Sequence, residues 1–247
     1  MNDANLNKIK ELKDIISNSN NIVFFGGAGV STESGIPDFR SENGIYTATQ
    51  NYGEPPETLL SHNYFITNTA AFYKYYKENM IHKKAKPNAA HLAIGELERG
   101  KKIKGVITQN IDGLHQKAGS ENVLELHGSI MRNNCMDCGD SYNLDFIINS
   151  KEIPICNNCG GIIKPDVVLY QEPLDNNTMT EAIKLISESD TLIIGGTSLV
   201  VYPAAGLINE FNGKNLILIN KSKTAYDDYA NLVINEAIGE VFKELMK

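Results

Sequence analysis

The sequence predicts an α/β protein built on a mostly parallel β-sheet with helices on both faces. Short apolar runs typical of buried strands recur at residues 22–25, 103–108 and 191–194. Segments whose apolar residues repeat at helical spacing lie between these runs. Strands that alternate with helices favour a parallel sheet, and strands that are apolar throughout favour cover on both sides.

The first half of the chain begins with apolar residues at helical spacing and a short apolar run. A segment rich in Gly, Pro, Asn and Thr then predicts a loop. Further along, Pro87 starts a helix and Gly100 ends it. This helix is expected to bury Leu92, Ile94 and Leu97. In chain order we expect a helix over 4–18, a strand over 22–25, a helix opening at 30–34, a loop over 35–60 and helices over 67–80 and 87–100.

The second half alternates apolar runs with amphipathic segments, around a cysteine-rich insert at 135–159. The apolar runs predict strands and the segments between them predict helices. In chain order we expect strands over 103–108, 123–126 and 167–170, a helix over 178–188, a strand over 191–194, a largely helical stretch over 202–211, a strand over 216–220 and a helix over 236–246.

Composition and charge narrow the class of protein. The chain has 247 residues, 42% hydrophobic and 21% charged, which is ordinary for a globular protein. Its net charge is −7, and a short basic run at 101–104 is expected to be a solvated turn. Because nucleic-acid binding needs a basic face, no specific nucleic-acid partner is expected. The acidic balance suits a cationic partner such as a lysine-rich peptide.

The location of the protein is predicted from its apolar segments. The N-terminus has no apolar core of the kind found in signal peptides. The longest apolar stretch, 192–207, is interrupted by glycines and Pro203 and is too short to span a bilayer. We therefore expect a cytoplasmic protein that makes no membrane contact.

Glycine and polar residues follow the predicted strands directly. They are Gly27, residues 109–112, His127, residues 196–198 and Asn220. Ligands of parallel sheets bind beyond the carboxyl ends of the strands. These positions therefore predict one shared ligand site.

The turn after the first strand has features of a pyrophosphate-binding loop. Glycines let the chain turn tightly and bring backbone N–H groups close to a ligand, and a helix N-terminus attracts anions. However, Thr32 stands where a dehydrogenase has its third glycine, and Pro37 lies in a loop where the acidic ribose-binding strand would be. The turn predicts dinucleotide binding without hydride transfer. From these residues alone, a glycine-rich turn of some other α/β protein is the alternative.

All four cysteines lie in the insert, at Cys135, Cys138, Cys156 and Cys159. Two pairs, each separated by two residues, have the spacing of a zinc ribbon. Four thiolates leave no open coordination position, so the zinc would be structural. Disulfides or free thiols are the alternatives, and a cytosolic chain disfavours disulfides. The insert looks polar and short of core residues, so the metal is expected to supply its folding free energy.

Together these motifs resemble the sirtuin family, in its bacterial type, whose members are NAD-dependent protein-lysine deacylases. The resemblance covers residues 8–245 and is carried by residues 27–40, 108–112, 127–128, 196–198 and the four cysteines, in that family's order along the chain. It implies one catalytic domain over 1–247, expected to be monomeric. A Rossmann-like parallel-sheet part would comprise 1–34, 84–132 and 163–247, and a smaller inserted region would comprise a helical and cofactor-loop part at 35–83 and a four-cysteine zinc-ribbon part at 133–162.

The resemblance also implies a reaction, in which acetyl passes from lysine to ADP-ribose. NAD would be consumed as a co-substrate, with release of nicotinamide and O-acetyl-ADP-ribose, and one zinc ion would be structural. The alternatives are a protein mono-ADP-ribosyltransferase, a deacylase for longer uncharged acyl groups and an NAD-binding module without catalysis. A zinc-ribbon nucleic-acid binder and a dehydrogenase are disfavoured by the charge and by the missing acidic residue.

The family's site residues are transferred to the matching positions. By resemblance, His127 would be the base for a ribose hydroxyl, which suits an imidazole near neutral pH. Asn110 would orient the ribose or a water, and Asp112 with Ile111 would hold the nicotinamide carboxamide. His91 and His115 are expected to be structural. The other expected cofactor contacts are Ala28, Gly29, Thr32, Phe39, Arg40, Gln109, Thr197, Ser198, Asn220 and Ile238.

The substrate peptide is expected to add as a strand between two segments. The contacts implied by resemblance are Val167, Val168, Leu169 and Val200. Sirtuins that prefer succinyl- or malonyl-lysine carry Tyr-x-x-Arg in the helical part. This chain has Tyr73 followed by Tyr76 at the arginine position, so uncharged acyl groups are expected, acetyl first.

Overall fold

The computed structural model describes residues 3–38 and 48–247. The expected contacts of Phe39 and Arg40 lie outside these residues. The strands are β1 (Ile22–Gly26), β2 (Ile103–Thr108), β3 (Val123–Glu125), β4 (Gly128–Cys135), β5 (Ser141–Asn143), β6 (Ile163–Val167), β7 (Thr191–Gly195), β8 (Asn215–Ile219) and β9 (Leu232–Ile234). The α-helices with described bounds are α1 (Asp3–Asn18), α2 (Pro56–Leu59), α3 (His62–Thr67), α4 (Thr69–Asn79), α5 (Ala89–Arg99), α6 (Leu114–Lys117), α7 (Leu144–Asn149), α8 (Asn176–Ser187) and α9 (Ile238–Leu245).

Six parallel strands form the larger sheet, in the order β3-β2-β1-β7-β8-β9. Side chains along each strand alternate between the two faces. On one face Phe24, Ile193 and Ile217 pack in a core with residues of α1, α5 and α9. On the other face Val23 and Leu192 pack with residues of α8 and of the 3₁₀ segment Ala204–Glu210. Both faces are covered, so the predicted α/β fold with a parallel sheet is confirmed.

A second core lies outside this sheet, where the antiparallel strands β5-β4-β6 meet the helices α2 to α4. It joins aromatic residues of the helices, such as Phe72 and Tyr73, to Leu144 and Ile147 of the insert and to Ile163 of β6. The hydroxyl of Tyr73 donates to the carbonyl of Ile163. The expectation that the insert is short of core residues is therefore wrong, because its apolar side chains pack against the helices and form a shared core.

The predicted helix opening at 30–34 is replaced by two 3₁₀ turns, Ala28–Val30 and Thr32–Ser34. The carbonyl of Val30 accepts a hydrogen bond from Nδ2 of Asn88 at 2.7 Å, and Gly35 ends the second turn at φ +81°. The hydrogen bond to Asn88 anchors this segment to the start of α5. The segment does not continue as an α-helix. A long helix macrodipole is therefore absent from this described turn.

Other differences concern boundaries. The predicted loop over 35–60 contains helical residues at 48–52 and α2. The helix expected over 67–80 begins at His62 and is divided at Asn68. The strand expected over 167–170 is β6, which ends at Val167 and belongs to the small sheet. Within the stretch over 202–211, Ala204–Glu210 is a 3₁₀ helix. The elements β4, β5, α7 and β9 were not expected from the sequence.

Leu92, which we expected to be buried, is 54% exposed. The buried face of α5 is instead formed by Ala90, His91, Ala93, Ile94 and Gly95, so an apolar side chain points outward while a histidine points inward. In the described part of the chain, no helix has the length and apolar character needed to cross a membrane.

His91 forms a buried pair with His115 of α6. Their ring centroids are 4.8 Å apart, and the side chains are at most 1% exposed. Burial lowers the pKa of His91 to about 4, and burial together with the charge of His91 lowers the pKa of His115 to about 3. Both rings are therefore neutral near pH 7, and the expected structural role of these two histidines agrees with their packing.

Acidification from pH 7 to pH 5 should lower the free energy of unfolding. An unfolded histidine titrates near pH 6.5, so below this pH the unfolded chain binds more protons than the folded one, and stability falls toward the lower folded pKa values. Each histidine should contribute about 2 kcal/mol over this interval. Urea unfolding of the wild type and of His115→Phe at both pH values measures this effect. The variant should lose about 2 kcal/mol of the pH dependence; an equal dependence in both proteins would contradict a buried neutral pair.

Candidate functional site

The candidate site lies at the carboxyl ends of the central strands. β1 is flanked by β2 on one side and β7 on the other, so the chain order reverses at this point. Such a reversal opens a crevice beyond the strand ends, where ligands of open α/β sheets bind. Gly27, Gln109 and Gly196 follow these three strands directly, and the predicted convergence of these turns is present.

The two turns after β1 and β7 touch through their backbones. The amide of Gly29 donates to the carbonyl of Gly196 at 2.7 Å, and the amide of Gly27 donates to Gly195 at 3.2 Å. A Cβ on Gly29 would lie 2.7 Å from Cα of Gly196, so this position excludes any larger residue. These two amides are used within the protein rather than offered to a ligand, and Ala28, between them, lines the cavity beside the crevice.

Ser31 connects the glycine turn to the turn after β2. Its Oγ donates to Oδ2 of Asp112 at 2.7 Å and accepts from Nδ2 of Asn110 at 3.0 Å. Oδ1 of Asp112 accepts from the amide of Leu114 at 2.8 Å, which anchors the start of α6. Ser31 itself is 1% exposed. The two expected catalytic polar residues are thus oriented by one buried hydroxyl.

A second polar chain runs from Gln109 through Thr197 to Asn220. Oε1 of Gln109 accepts from Oγ1 of Thr197 at 3.2 Å, and Oδ1 of Asn220 accepts from the amide of Thr197 at 2.9 Å. Nε2 of Gln109 and Nδ2 of Asn220 are buried and have no hydrogen-bond partner among the residues described. Buried donors are normally paired, so these two amides fit a polar ligand rich in acceptor oxygens.

His127 lies between β3 and β4, with its imidazole against the turn after β2. Nδ1 is 2.9 Å from the carbonyl oxygen of Gln109, and the backbone carbonyl of His127 accepts from the amide of Val168 at 3.0 Å. When Nδ1 donates to that carbonyl, Nε2 carries the lone pair that can accept a proton. Gly128 follows at φ +73°, where a Cβ would collide with the carbonyl of Asp166.

One cavity unites nine of the predicted site residues. Its lining includes Ala28, Gln109, Asn110, Ile111, Asp112, His127, Val167, Val168 and Leu169. The structure therefore brings together the expected catalytic residues, part of the expected cofactor contacts and three of the expected peptide contacts.

The other expected contacts among the described residues are not part of this lining. Ser198 and Val200 are exposed, and Oγ1 of Thr32 donates to the carbonyl of Gly29 at 3.0 Å. The side chain of Ile238 is 3% exposed and packs in the core beneath Gly195. The contact expected between Ile238 and the cofactor stays a prediction.

One residue of the site was missed by sequence reasoning. Ser31 lies inside the glycine motif, where a small hydroxyl residue before a turn is the available signal. Tyr76 of α4, which the resemblance places at the arginine position of the acyl-selecting motif, also lines the cavity.

The four cysteines form a candidate metal centre. Their Sγ atoms all lie within 4.8 Å of one another, and in the described part of the chain they are the one such group of metal-ligand side chains. Sγ of Cys135 is 3.4 Å from that of Cys159, and Sγ of Cys138 is 3.6 Å from that of Cys156. Zinc–sulfur bonds of about 2.3 Å in a tetrahedron give sulfur–sulfur distances of about 3.8 Å, whereas a disulfide needs about 2.05 Å.

The two cysteine pairs sit on matching turns, which supports the zinc assignment. The amide of Gly139 donates to the carbonyl of Cys135, and that of Gly160 to the carbonyl of Cys156, each at 3.0 Å. Both glycines have φ +78°, a conformation that favours glycine. The cysteines fit four-coordinate zinc, which leaves no position for a substrate.

The fold and the crevice define an α/β protein of the dinucleotide-binding kind with a separate four-cysteine metal centre. The model of the Sir2 family matches residues 27–203, and the chain belongs to this family. It is 60% identical over 242 residues to a protein of Clostridium acetobutylicum named NAD-dependent protein deacetylase, covering 98% of this chain and 99% of the relative. A protein of the same name from Clostridium perfringens is 60% identical over 240 residues, covering 97% and 98%.

Solved structures of Sir2 proteins are similar in fold. A Sir2 variant with a deacetylated p53 peptide and 3′-O-acetyl ADP-ribose is 38% identical, with a TM-score of 0.87 and coverage of 96% of this chain and 97% of that one. A Sir2 complex with a p53 peptide and NAD⁺ is 38% identical, with a TM-score of 0.85 and the same coverage.

Removal of the metal should destabilise the insert without unfolding the parallel sheet. The shared aromatic core gives the insert some stability of its own, so loss of zinc should lower the thermal midpoint of a first transition and leave a second one. Cys138→Ala and chelator-treated wild type, followed by calorimetry and metal analysis, check this. The expected content is one zinc per chain in the wild type. Unchanged melting after complete loss of zinc would contradict a structural metal.

Proposed function

We propose that this protein is an NAD-dependent protein-lysine deacetylase, which transfers acetyl from lysine to ADP-ribose with release of nicotinamide and O-acetyl-ADP-ribose. Family membership and relatives of that name over almost the full length support this function. The observation that carries it is the single cavity in which Ala28, residues 109–112, His127 and residues 167–169 meet. The candidate base, the polar residues after β2 and the backbone proposed to pair with a peptide therefore line the same cavity.

NAD fits the crevice as a co-substrate. When bound, it supplies a ribose carbon with nicotinamide as the leaving group. The amides of Gln109 and Asn220, which are buried without a partner among the described residues, would donate to its oxygen atoms. Asp112 and Asn110, held by Ser31, would orient the carboxamide and the ribose. The predicted contacts of Phe39, Arg40, Thr32, Ser198 and Ile238 remain predictions, and they carry no part of this argument.

His127 would take the proton of a ribose hydroxyl at Nε2. The bond between Nδ1 and the carbonyl of Gln109 orients the ring and favours this tautomer. An imidazole held in this way is suited to general base catalysis near neutral pH. The apolar side chains of Ile111, Val167 and Leu169 would limit access of water to the reacting groups.

The partner would be an acetyl-lysine segment of a protein, bound as an extended strand beside residues 167–169. The negative net charge suits lysine-rich segments. We further propose a cytoplasmic monomer that binds neither membranes nor specific nucleic acids. It would have a Rossmann-like part and an inserted region, and the structural zinc would stabilise that region.

The function is tested by incubating zinc-loaded protein with an acetyl-lysine peptide, with and without NAD, and analysing all products by mass spectrometry. We expect deacetylated peptide, nicotinamide and O-acetyl-ADP-ribose only when NAD is present. His127→Tyr should keep zinc and the fold but lose at least about a hundredfold in turnover, because general base catalysis is removed. ADP-ribose attached to the peptide would indicate a mono-ADP-ribosyltransferase instead, and unconsumed NAD would contradict the proposal.

Ser31→Ala should lower kcat/KM for NAD by about tenfold, because Asp112 and Asn110 lose the hydrogen bond that orients them. Ser34→Ala is the matched control, since its hydroxyl contacts Asn88 and not the catalytic turn. The control should stay within about twofold of the wild type. Steady-state kinetics with varied NAD measures both variants, and an equal effect of the two substitutions would show that Ser31 has no special role.

A further inference from the structure

Arg132 of β4 binds two carboxylates that belong to different strands. Its Nη1 donates to Oε2 of Glu125, the last residue of β3, at 2.7 Å. Its Nε donates to Oδ2 of Asp166 in β6, also at 2.7 Å. The side chain of Glu125 is only 8% exposed and accepts a further bond from Nε2 of Gln116 in α6 at 2.9 Å. A guanidinium suits this bridge because its donors have a fixed geometry.

The bridge lies where the pairing of β4 with β6 is irregular. Gly128 pairs with Val167, and the register then shifts before the pairing resumes at Asn133. A strand pair that is interrupted in this way is bent locally and has fewer backbone bonds to hold it. The side-chain bond from Arg132 to Asp166 therefore contributes to the spacing of the two strands along this stretch.

His127 lies on the backbone between the two bridged carboxylates. It follows Glu125 by two residues along the chain. Its carbonyl accepts from the amide of Val168 at 3.0 Å, and Val168 follows Asp166 by two residues. The guanidinium of Arg132 connects the two carboxylates, so His127 is part of a closed ring of bonds. Such a ring restricts movement of the histidine relative to β6.

We propose that Arg132 is a positioning residue that holds the imidazole of His127 at a fixed distance from residues 167–169. This inference rests on the proposed function, in which His127 is the base and residues 167–169 bind the substrate peptide. Arg132 does not line the cavity, so it acts through His127 and not on the substrate.

The proposal predicts a loss of turnover without a loss of NAD binding. Catalytic groups have to be held within about 0.5 Å of the productive geometry, so a less restricted His127 slows proton transfer. The buried amides proposed to contact NAD belong to Gln109 and Asn220, which follow β2 and β8. The Arg132 bridge does not include these two strands.

The bridge is tested with zinc-loaded Arg132→Met, Asp166→Asn and the double variant, by steady-state kinetics with an acetyl-lysine peptide. We expect kcat to fall about tenfold in Arg132→Met and about threefold in Asp166→Asn. The double variant should lose about tenfold, not the product of the two effects, because both substitutions break the same bridge. The dissociation constant for NAD, measured by calorimetry, should stay within about twofold of the wild type. Asp166 is 44% exposed, so Asp166→Asn leaves no buried charge and carries the test if Arg132→Met does not fold.

Lys83→Met and Asp145→Asn are the matched controls. They break an exposed ion pair of 2.6 Å that lies outside β3, β4 and β6. Both should keep kcat within about twofold of the wild type. Amide hydrogen exchange at Val168 measures the contact with His127 without turnover, and it should become faster in the bridge variants and not in the controls.

Wild-type kcat in the bridge variants, effects that multiply in the double variant, or an equal loss in the controls would overturn the inference. A loss of NAD affinity as large as the loss of kcat would also overturn it, since a purely structural arginine would disturb the whole site. A wild type that consumes no NAD, together with faster exchange at Val168 in the bridge variants, would contradict the deacetylase and support the bridge. An active wild type with unchanged exchange in those variants would do the reverse.

Discussion

The backbone contact between the turns after β1 and β7 is the constraint on which the site depends. The amide of Gly29 lies 2.7 Å from the carbonyl of Gly196, and Gly196 adopts φ +60° to make this contact. Side chains at these positions would separate the strands' carboxyl ends. Because the turns touch, Gln109, Thr197 and Asn220 come within hydrogen-bonding distance of one another across the crevice. The glycines therefore allow the carboxyl ends of the strands to pack closely, and this close packing forms the candidate ligand site.

Buried polar atoms of the site fall into two groups. Some form hydrogen bonds within the protein that orient them, and others have no partner in the described part of the chain and are available to a ligand. Ser31 pairs with Asp112 and Asn110, and His127 pairs with the carbonyl of Gln109. In contrast, the side-chain amides of Gln109 and Asn220 have no partner among the described residues. Leaving such groups unpaired is costly for the folded protein, and a ligand that pairs with them would offset this cost.

Helices α2 to α4 and the cysteine-rich insert share one hydrophobic core. Aromatic residues of α4 pack against the insert, where the four cysteines bring β4 and the turn before β6 together. The side chain of Lys77 adds bonds to Ser150, at 2.9 Å to its carbonyl and 2.7 Å to its hydroxyl. Because β6 ends at Val167, directly beside the cavity, the packing of helix, insert and metal site decides where the proposed peptide edge lies.

The sequence by itself determined the parallel sheet, the cysteine cluster and the turns that meet at the strand ends, because apolar periodicity and ligand spacing are local properties. The positions of His127 and residues 109–112 at strand ends were found in this way, whereas their roles came from the resemblance to the family. Only the tertiary structure decided that Leu92 faces outward, that Ile238 is core and that Ser31 belongs to the site. These features depend on contacts between side chains from distant segments. The spacing of residues along the chain does not predict such contacts.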